Sequence, residues 1–280
     1  MAHRRGGEVA TVELHAIDTQ GPDDNAAAEA SCTGGLCPPV VLIHGIGASS
    51  RDWDYVLPVL RAGRRLIAPD LRGHGASPVG RGYGLQAMAE DVWALLDRLH
   101  VERFDLVGHS LGGAVALQMA VDRPQRLRRA VFANTLPDLA IDTSRKAMLY
   151  WFRMAVMAAL GPRGLTEVLA RLTAPTAHDA TLRARFIAHG SGSRSRFVYL
   201  RALWAMRRWR VTERLGRIAC PSLVLAAEHD YFARDDAERF AAGLPRARLE
   251  IVPGVHHLMP LEVPEAFARR VSDFLDAASP

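Results

Sequence analysis

Short apolar segments alternate with amphipathic ones along the first half of the chain. The mostly apolar segments, as expected of strands buried on both faces of a sheet, are Val40–Ile43, Leu66–Ala68, Phe104–Val107 and Leu127–Ala133. Between them the predicted helices span Asp52–Ala62, Leu85–Leu99 and Leu111–Asp122. This regular alternation predicts an α/β fold with a mostly parallel, doubly wound sheet.

The alternation stops after the strand that ends at Ala133 and resumes near residue 216. The intervening segment lacks strand candidates and carries aromatic and methionine residues with arginines between them, which predicts several helices. The predicted elements that follow are a strand at Ser222–Ala227, a helix at Asp235–Gly243, a strand at Arg248–Val252 and a helix at Pro264–Ala277. We therefore expect an α/β core of residues 1–135 and 216–280, with residues 136–215 as a helical cap that gates an active site.

The segment before the first buried strand is irregular. Val9–Ile17 is short and β-branched, which predicts one or two strands, whereas residues 21–38 are rich in Gly, Pro, Asp and Ala and predict a loop. Two of the three cysteines, Cys32 and Cys37, lie at the end of this loop, close enough in sequence for a local bridge. Because an odd, small number of cysteines argues against a disulfide framework, we expect free thiols.

Composition limits the class of protein. The chain has 280 residues, of which 49% are hydrophobic and 23% charged, and these values exclude disordered, collagen-like and coiled-coil chains. It has no apolar stretch of about 18 residues, and the basic pair Arg4 and Arg5 is not followed by the apolar region of a signal peptide. We therefore expect a cytoplasmic protein without a membrane span.

The basic residues are almost all arginine. Lys and Arg total 35 against 30 Asp and Glu, for a net charge of +5, and the only lysine is Lys146. No nucleic-acid-binding motif accompanies the excess, so we expect no nucleic-acid partner and attribute it to the coding bias of a GC-rich genome. Only arginines of the predicted cap, above all Arg207, Arg208 and Arg210, are expected where charge could select a substrate.

One motif combines a nucleophile with the geometry needed to expose it. Gly108, Ser110 and Gly112 form a G-x-S-x-G pattern between a predicted strand and a predicted helix. A turn this tight strains the central residue and leaves room only for glycine on both sides, so it pushes the serine hydroxyl clear of the sheet. The helix N-terminus beside it favours developing negative charge. The sequence therefore predicts a nucleophilic serine at Ser110.

With this motif the chain resembles the α/β-hydrolase fold family over residues 38–136 and 216–276. The segment His44-Gly-Ile-Gly47 resembles the family's oxyanion loop, which implies that the backbone N–H groups of Ile46 and Leu111 hold the substrate oxygen. The segment Asp70–Ser77 resembles the family's D-x-R-G-x-G-x-S loop, which we interpret as structural.

The resemblance also implies the two partners of the serine. In the family the acid and then the histidine follow the nucleophile, and Asp230 and His257 occupy matching positions after predicted strands. His257 is preferred to His256 because Glu262 follows it by the family's spacing, and Asp138 is the alternative acid. Three further residues are given other roles: Glu228 as a surface residue, His44 as a brace for its loop, and His109 as packing beneath the turn.

These residues point to an enzyme rather than to a binding module. We expect a serine hydrolase that cleaves a carboxylic ester of an apolar small molecule and needs neither metal nor organic cofactor. The alternatives use the same three residues: a C–C bond (meta-cleavage product) hydrolase, a lactonase, a thioesterase or an acyltransferase. A non-catalytic ligand-binding protein is the remaining alternative. The sequence leaves the natural substrate and the oligomeric state open.

Overall fold

The computed structural model describes residues 10–19, 37–60, 64–173, 180–189, 192 and 195–277. A seven-stranded sheet runs through the centre in the order β1-β3-β2-β4-β5-β6-β7. The strands are β1 (Ala16–Asp18), β2 (Val40–Ile43), β3 (Leu66–Pro69), β4 (Phe104–His109), β5 (Leu127–Ala133), β6 (Ser222–Ala227) and β7 (Ala247–Val252). Strand β1 runs antiparallel to β3, and all other pairs are parallel. The predicted α/β fold with a mostly parallel sheet is confirmed.

The sheet is covered on both faces, as the continuous apolar strands predicted. In β2, Val41 and Ile43 pack into one apolar cluster, whereas Val40 and Leu42 pack into another on the opposite face. This alternation follows from the two-residue period of a strand. The helices that supply the two covers are α1 (Leu57–Leu60), α2 (Leu85–Arg98), α3 (Leu111–Asp122), α7 (Arg234–Ala242) and α9 (Pro264–Asp276). Apolar side chains therefore cover both faces of the sheet.

Two predicted elements differ from the structure. In place of the helix expected at Asp52–Ala62, the structure has a 3₁₀ turn at Ser50–Trp53 followed by α1. Of the one or two strands expected in Val9–Ile17, the described residues form only β1. A further short helix, α8 (Met259–Glu262), precedes α9. Short elements carry too few residues for a periodic pattern to define their ends. The loop predicted over residues 21–38 lies almost entirely outside the described residues.

Between β5 and β6 the chain forms the predicted helical insertion. Its helices are α4 (Ser144–Thr173), α5 (Ala180–His189) and α6 (Arg196–Met206). Helix α4 is kinked at Gly161, which has a φ of 70° and is followed by Pro162. Helices α4 and α6 pack through an apolar cluster that includes Met157, Tyr199 and Leu203. The assignment of residues 136–215 to a separate cap domain stays a prediction.

The cysteines differ from expectation at one position. Cys37 is disulfide-bonded, so the prediction of a free thiol is wrong there, while Cys32 lies outside the described residues. Cys220 is free and buried, and burial raises the pKa of its thiol to about 11. Within the described ranges, no helix is both long and apolar enough to cross a membrane.

A buried ion pair anchors the loop that follows β3. Arg72 is fully buried and bonds both carboxylate oxygens of Asp91 on α2, at 2.5 and 2.7 Å. Its remaining N–H groups donate to the carbonyl oxygens of Arg81, Gly82 and Ala87. A buried charge is tolerated only when it is paired and hydrogen-bonded in this way. The pair therefore fixes the loop of Asp70–Ser77 against the helical layer, in keeping with a structural role.

Replacing Asp91 with Ala tests this ion pair. The variant leaves the buried guanidinium of Arg72 without its carboxylate, and we expect the free energy of unfolding to fall by about 3–5 kcal/mol. Urea denaturation followed by circular dichroism measures the change. The matched control is Glu238→Ala, which breaks the exposed pair of Arg234 and Glu238 on α7 and should leave the midpoint nearly unchanged. An equal loss in both variants would contradict the anchoring role of the buried pair.

Candidate active site

The turn between β4 and α3 holds Ser110 in a strained conformation. Ser110 has φ 54° and ψ −118°, a region that residues with a side chain rarely adopt. The chain closes so tightly that a Cβ on Gly108 would lie 2.4 Å from the carbonyl oxygen of Gly112. A Cβ on Gly112 would lie 2.1 Å from the carbonyl oxygen of Ile43. The glycines of the motif are therefore required sterically, and the serine hydroxyl is left facing a cavity.

The structure brings Ser110, His257 and Asp230 together in one hydrogen-bonded chain. Nε2 of His257 lies 2.9 Å from Oγ of Ser110. On the other side of the ring, Nδ1 lies 2.9 and 3.0 Å from the two carboxylate oxygens of Asp230. Because the carboxylate accepts from Nδ1–H, the lone pair of Nε2 faces the serine, which is the arrangement a general base needs.

Electrostatics keep the carboxylate of this chain ionised. Burial by itself opposes the charge on Asp230, but the charge and hydrogen bond of His257 and the backbone N–H of Phe232 outweigh it. The net effect places the pKa of Asp230 below its ordinary value. An ionised carboxylate fixes the imidazole tautomer and stabilises the imidazolium that forms when Nε2 takes a proton.

The two competing candidates are engaged elsewhere. His256 bonds Glu262 through its ring, at 3.0 Å, and through its backbone N–H, at 2.9 Å. Glu262, whose spacing selected His257 in the sequence, thus contacts the neighbouring histidine. Asp138 accepts the backbone N–H of Ala140 and pairs with Arg210 at 3.7 Å. Neither side chain is hydrogen-bonded to Ser110 or His257.

Two peptide groups predicted to hold an oxyanion lie beside Ser110. Ile46 and Leu111 both line a small cavity of about 90 Å³ that Ser110 also lines. Leu111 is the first residue of α3, so its N–H is one of those that a helix leaves without an internal partner. Ile46 follows β2 and makes no backbone hydrogen bond within the described part of the chain. Their assignment as the oxyanion hole stays a prediction that this placement supports.

Buried histidines brace the loops around the serine. His44 accepts the N–H of Leu71 at Nε2 and donates from Nδ1 to the carbonyl of Gly45, which ties the oxyanion loop to the loop after β3. His74 accepts the N–H of Gly47 in a parallel bond. Burial lowers the pKa of both rings, that of His74 to about 3. Each ring therefore stays neutral and can accept at one nitrogen while donating at the other.

The loop that carries His257 is held through its own carbonyl group. His109 donates from Nε2 to the carbonyl oxygen of His257 at 2.8 Å, and Nδ2 of Asn134 donates to the same oxygen at 2.7 Å. Burial, followed by the nearby charge of His257, lowers the pKa of His109 to about 3. His109 is thus a buried brace of this loop that also lines the large cavity, and its packing beneath the turn stays a prediction. Asn134 was not anticipated, because nothing in its local sequence marks it as a brace.

Tyr231 is the residue near the nucleophile that sequence reasoning missed. Its hydroxyl lies 2.6 Å from Nε2 of His257, and its ring stacks on the imidazole with centroids 4.0 Å apart. Burial raises the pKa of Tyr231 to about 12, so the phenol stays protonated. The only local signal was its position directly after Asp230, which does not reveal where the ring points.

A mostly apolar cavity opens above these side chains. Its volume is about 320 Å³, and it is walled by helices α4, α5 and α6 together with the loops that carry Ser110 and His257. Apolar side chains that form the wall include Phe152, Met157, Leu165, Leu169, Phe186 and Leu261. A pocket of this size, mostly apolar but with convergent polar groups in its lining, is typical of a small-molecule site.

Comparison with known proteins agrees with this architecture. Residues 38–264 match the family model described as alpha/beta hydrolase fold. A relative from Variovorax paradoxus, RutD, provisionally named a carbamate hydrolase, is 34% identical over 252 residues, which are 86% of this chain and 92% of RutD. A second relative, the magnesium-chelatase 30 kDa subunit of Rhodobacter capsulatus, is 46% identical over 89 residues, 31% of each chain.

Among solved structures, a hydrolase from Pseudomonas aeruginosa PA01 superposes with a TM-score of 0.78 at 29% identity. The match covers 98% of this chain and all of the other. The family match extends over most of the chain, from before β2 to the start of α9, and contains every element that surrounds Ser110. The chain belongs to the α/β hydrolase fold family.

Proposed function

We propose that the protein is a serine hydrolase that cleaves a carboxylic ester of an apolar small molecule. The observation that carries the proposal is the hydrogen-bonded chain of Ser110, His257 and Asp230 at the polar end of an apolar cavity. Each group has the hydrogen-bond partner that nucleophilic catalysis requires, and the lowered pKa of Asp230 keeps its carboxylate ionised. A non-catalytic binding protein would not need this arrangement together with a strained serine.

The proposed reaction proceeds through an acyl-enzyme. Nε2 of His257 takes the proton of Ser110 as Oγ attacks the carbonyl carbon, and Asp230 stabilises the resulting imidazolium. The N–H groups of Ile46 and Leu111 hold the tetrahedral oxyanion. The imidazolium then returns its proton to the leaving alcohol, so that the ester C–O bond breaks. Water activated by the same histidine releases the acid and restores Ser110.

The surroundings of the serine favour an ester with an apolar part. The helices of the insertion contribute aliphatic and aromatic side chains to the large cavity, and these would bury an alkyl or aryl group of the substrate. Lactones, thioesters and meta-cleavage products would be attacked by the same residues, and acyl transfer would differ only in the nucleophile that accepts the acyl group. Only assays with different substrates distinguish these alternatives, because all of them use the same mechanism at Ser110.

Carbamate hydrolysis is the second candidate, because the RutD relative aligns over 86% of this chain. A carbamate ester presents the same carbonyl and the same leaving oxygen to Ser110. A matched pair distinguishes the two functions: p-nitrophenyl butyrate against p-nitrophenyl N-ethylcarbamate, in which an NH group replaces one CH₂ group. Faster turnover of the ester supports the esterase proposal, and efficient turnover of the carbamate alone would overturn it.

Replacing Ser110 with Ala should abolish turnover without unfolding the protein. Without the nucleophile no acyl-enzyme forms, and we expect kcat for p-nitrophenyl butyrate to fall by about 10³-fold or more. Labelling by a fluorophosphonate probe should disappear in parallel, as measured by intact-protein mass spectrometry. The control is Ser272→Ala on α9, which lines neither cavity and should keep both labelling and activity. Labelling that persists in the Ser110 variant would show that another residue is the nucleophile.

The pH profile should show one acid limb. Log(kcat/KM) should rise with unit slope from acid pH, because the proposed mechanism has a single base, Nε2 of His257, that must be unprotonated to accept the proton of Ser110. Asp230, whose pKa is lowered, is ionised throughout that rise. Tyr231, with a pKa of about 12, stays protonated and gives no decline at moderately alkaline pH. A slope of two, or an alkaline decline that Tyr231→Phe removes, would contradict this assignment.

A further inference from the structure

One cation of the helical insertion, Arg153 on α4, lines both the large and the small cavity beside the nucleophile, whereas Lys146 and Arg207 line only the small one. Its Nη2 and Nε donate to the hydroxyl of Tyr199, at 2.6 and 3.1 Å, and its Nη1 donates to the hydroxyl of Tyr231 at 3.4 Å. The side chain is therefore held by two phenols, with its charged group at the cavity wall.

Arg153 has no carboxylate partner in the described part of the chain. Three carboxyl groups line the two cavities, and each is accounted for. Asp230 is bonded to His257, and Asp138 pairs with Arg210. Asp52 is buried, which raises its pKa well above the ordinary value and favours the neutral form. A half-buried guanidinium held only by phenol hydroxyls lacks the counter-charge that a buried cation normally requires.

The place of Arg153 connects it to the reacting bond. The hydroxyl of Tyr231 contacts both Nη1 of Arg153 and Nε2 of His257, the atom that serves the nucleophile. Only the hydroxyl of Tyr231 would therefore separate an anionic group bound by Arg153 from the imidazole of His257. Since Arg153 lines both cavities, the group can belong to either half of an ester bound across Ser110.

The arginines singled out from the sequence are less well placed. Arg208 and Arg210 are exposed, and Arg210 pairs with Asp138. Arg207 lines the small cavity, but it stacks on Trp204 at 3.6 Å from the ring centroid and donates to that residue's carbonyl. Arg153, on a different helix of the insertion, is therefore better placed than these three arginines to select a charged substrate.

We propose that Arg153, oriented by Tyr199 and assisted by Tyr231, binds a free carboxylate of the substrate. The preferred substrates are then esters that carry a second, ionised carboxyl group a few atoms from the scissile carbonyl. Guanidinium groups recognise carboxylates through paired, charge-assisted hydrogen bonds, which suit a planar anion. This inference rests on the proposed ester hydrolysis and specifies its substrate class.

The test compares charged esters with neutral esters of similar shape. Methyl hydrogen succinate and methyl hydrogen glutarate carry the carboxylate in the acid half, and O-acetyl glycolate carries it in the alcohol half. The corresponding neutral esters are dimethyl succinate, dimethyl glutarate and methyl O-acetyl glycolate. The measured quantity is the ratio of kcat/KM for each charged ester to that for its neutral counterpart, so any general loss of catalysis cancels.

We expect the wild-type protein to prefer at least one charged ester, and the pair with the larger ratio identifies the half that bears the carboxylate. Arg153→Gln should reduce that ratio about 10- to 100-fold, the range for a charge-assisted hydrogen bond. Arg153→Lys should retain part of it, because the charge remains but the paired geometry is lost. Tyr199→Phe should give a smaller reduction, since it removes only the group that orients the guanidinium. The matched control, Arg208→Gln, removes an exposed arginine of the same insertion and should leave the ratio unchanged.

A second measurement does not depend on the folding of any variant. Succinate and glutarate should inhibit wild-type hydrolysis of p-nitrophenyl butyrate competitively and more strongly than their dimethyl esters, and added salt should weaken the inhibition. Absence of a charged-ester preference together with absence of this inhibition would overturn the inference, even if neutral esters are cleaved. An unchanged ratio in folded Arg153→Gln protein would also overturn it. Failure of the proposed function is distinct: no ester is cleaved and Ser110 is not labelled.

Discussion

The close approach of α3 to the ends of β2 and β4 is the constraint on which the rest of the site depends. Gly112 lies so near the carbonyl of Ile43 that a single methyl group would not fit, and Gly108 meets Gly112 equally closely. Ser110 lies in the strained turn at this contact, and Leu111, the first residue of α3, lines the small cavity beside it. Ser110, the N-terminus of α3 and the loop after β2 are thereby brought together by one steric condition.

Burial then divides the histidines into two kinds. His44, His74 and His109 are enclosed, their pKa values are lowered, and each acts as a neutral bridge between loops. His257 is paired with an ionised carboxylate, and its other ring nitrogen lies within hydrogen-bond distance of Ser110 and of the Tyr231 hydroxyl. A histidine that stays neutral thus stabilises the scaffold through hydrogen bonds. A histidine whose protonated ring is stabilised by a carboxylate can instead act as a base. The difference comes from the neighbours that the fold provides.

The helical insertion supplies both the apolar wall of the large cavity and a charged group within it. Most side chains that α4, α5 and α6 contribute to the large cavity are aliphatic or aromatic, but α4 also contributes Arg153. Its only described partners are two phenols, one of which also contacts His257. The proposed specificity for a carboxylate therefore arises where the insertion meets the catalytic loops, while the proposed bond cleavage depends on residues at the ends of the strands.

The amino-acid sequence by itself determined the architecture and the reacting residues that we propose. Buried strands leave continuous apolar segments, and the turn around Ser110 leaves a glycine pattern, because both are local steric requirements. Family resemblance added Asp230 and His257, which lie far from Ser110 along the chain. Only the tertiary structure decided that Tyr231, Asn134 and Arg153 meet at this site and that Glu262 contacts His256. It also decided that Arg208 and Arg210 are exposed and that Arg207 stacks on Trp204. Side-chain direction and contacts between distant segments decide those matters, and neither leaves a periodic signal in the sequence.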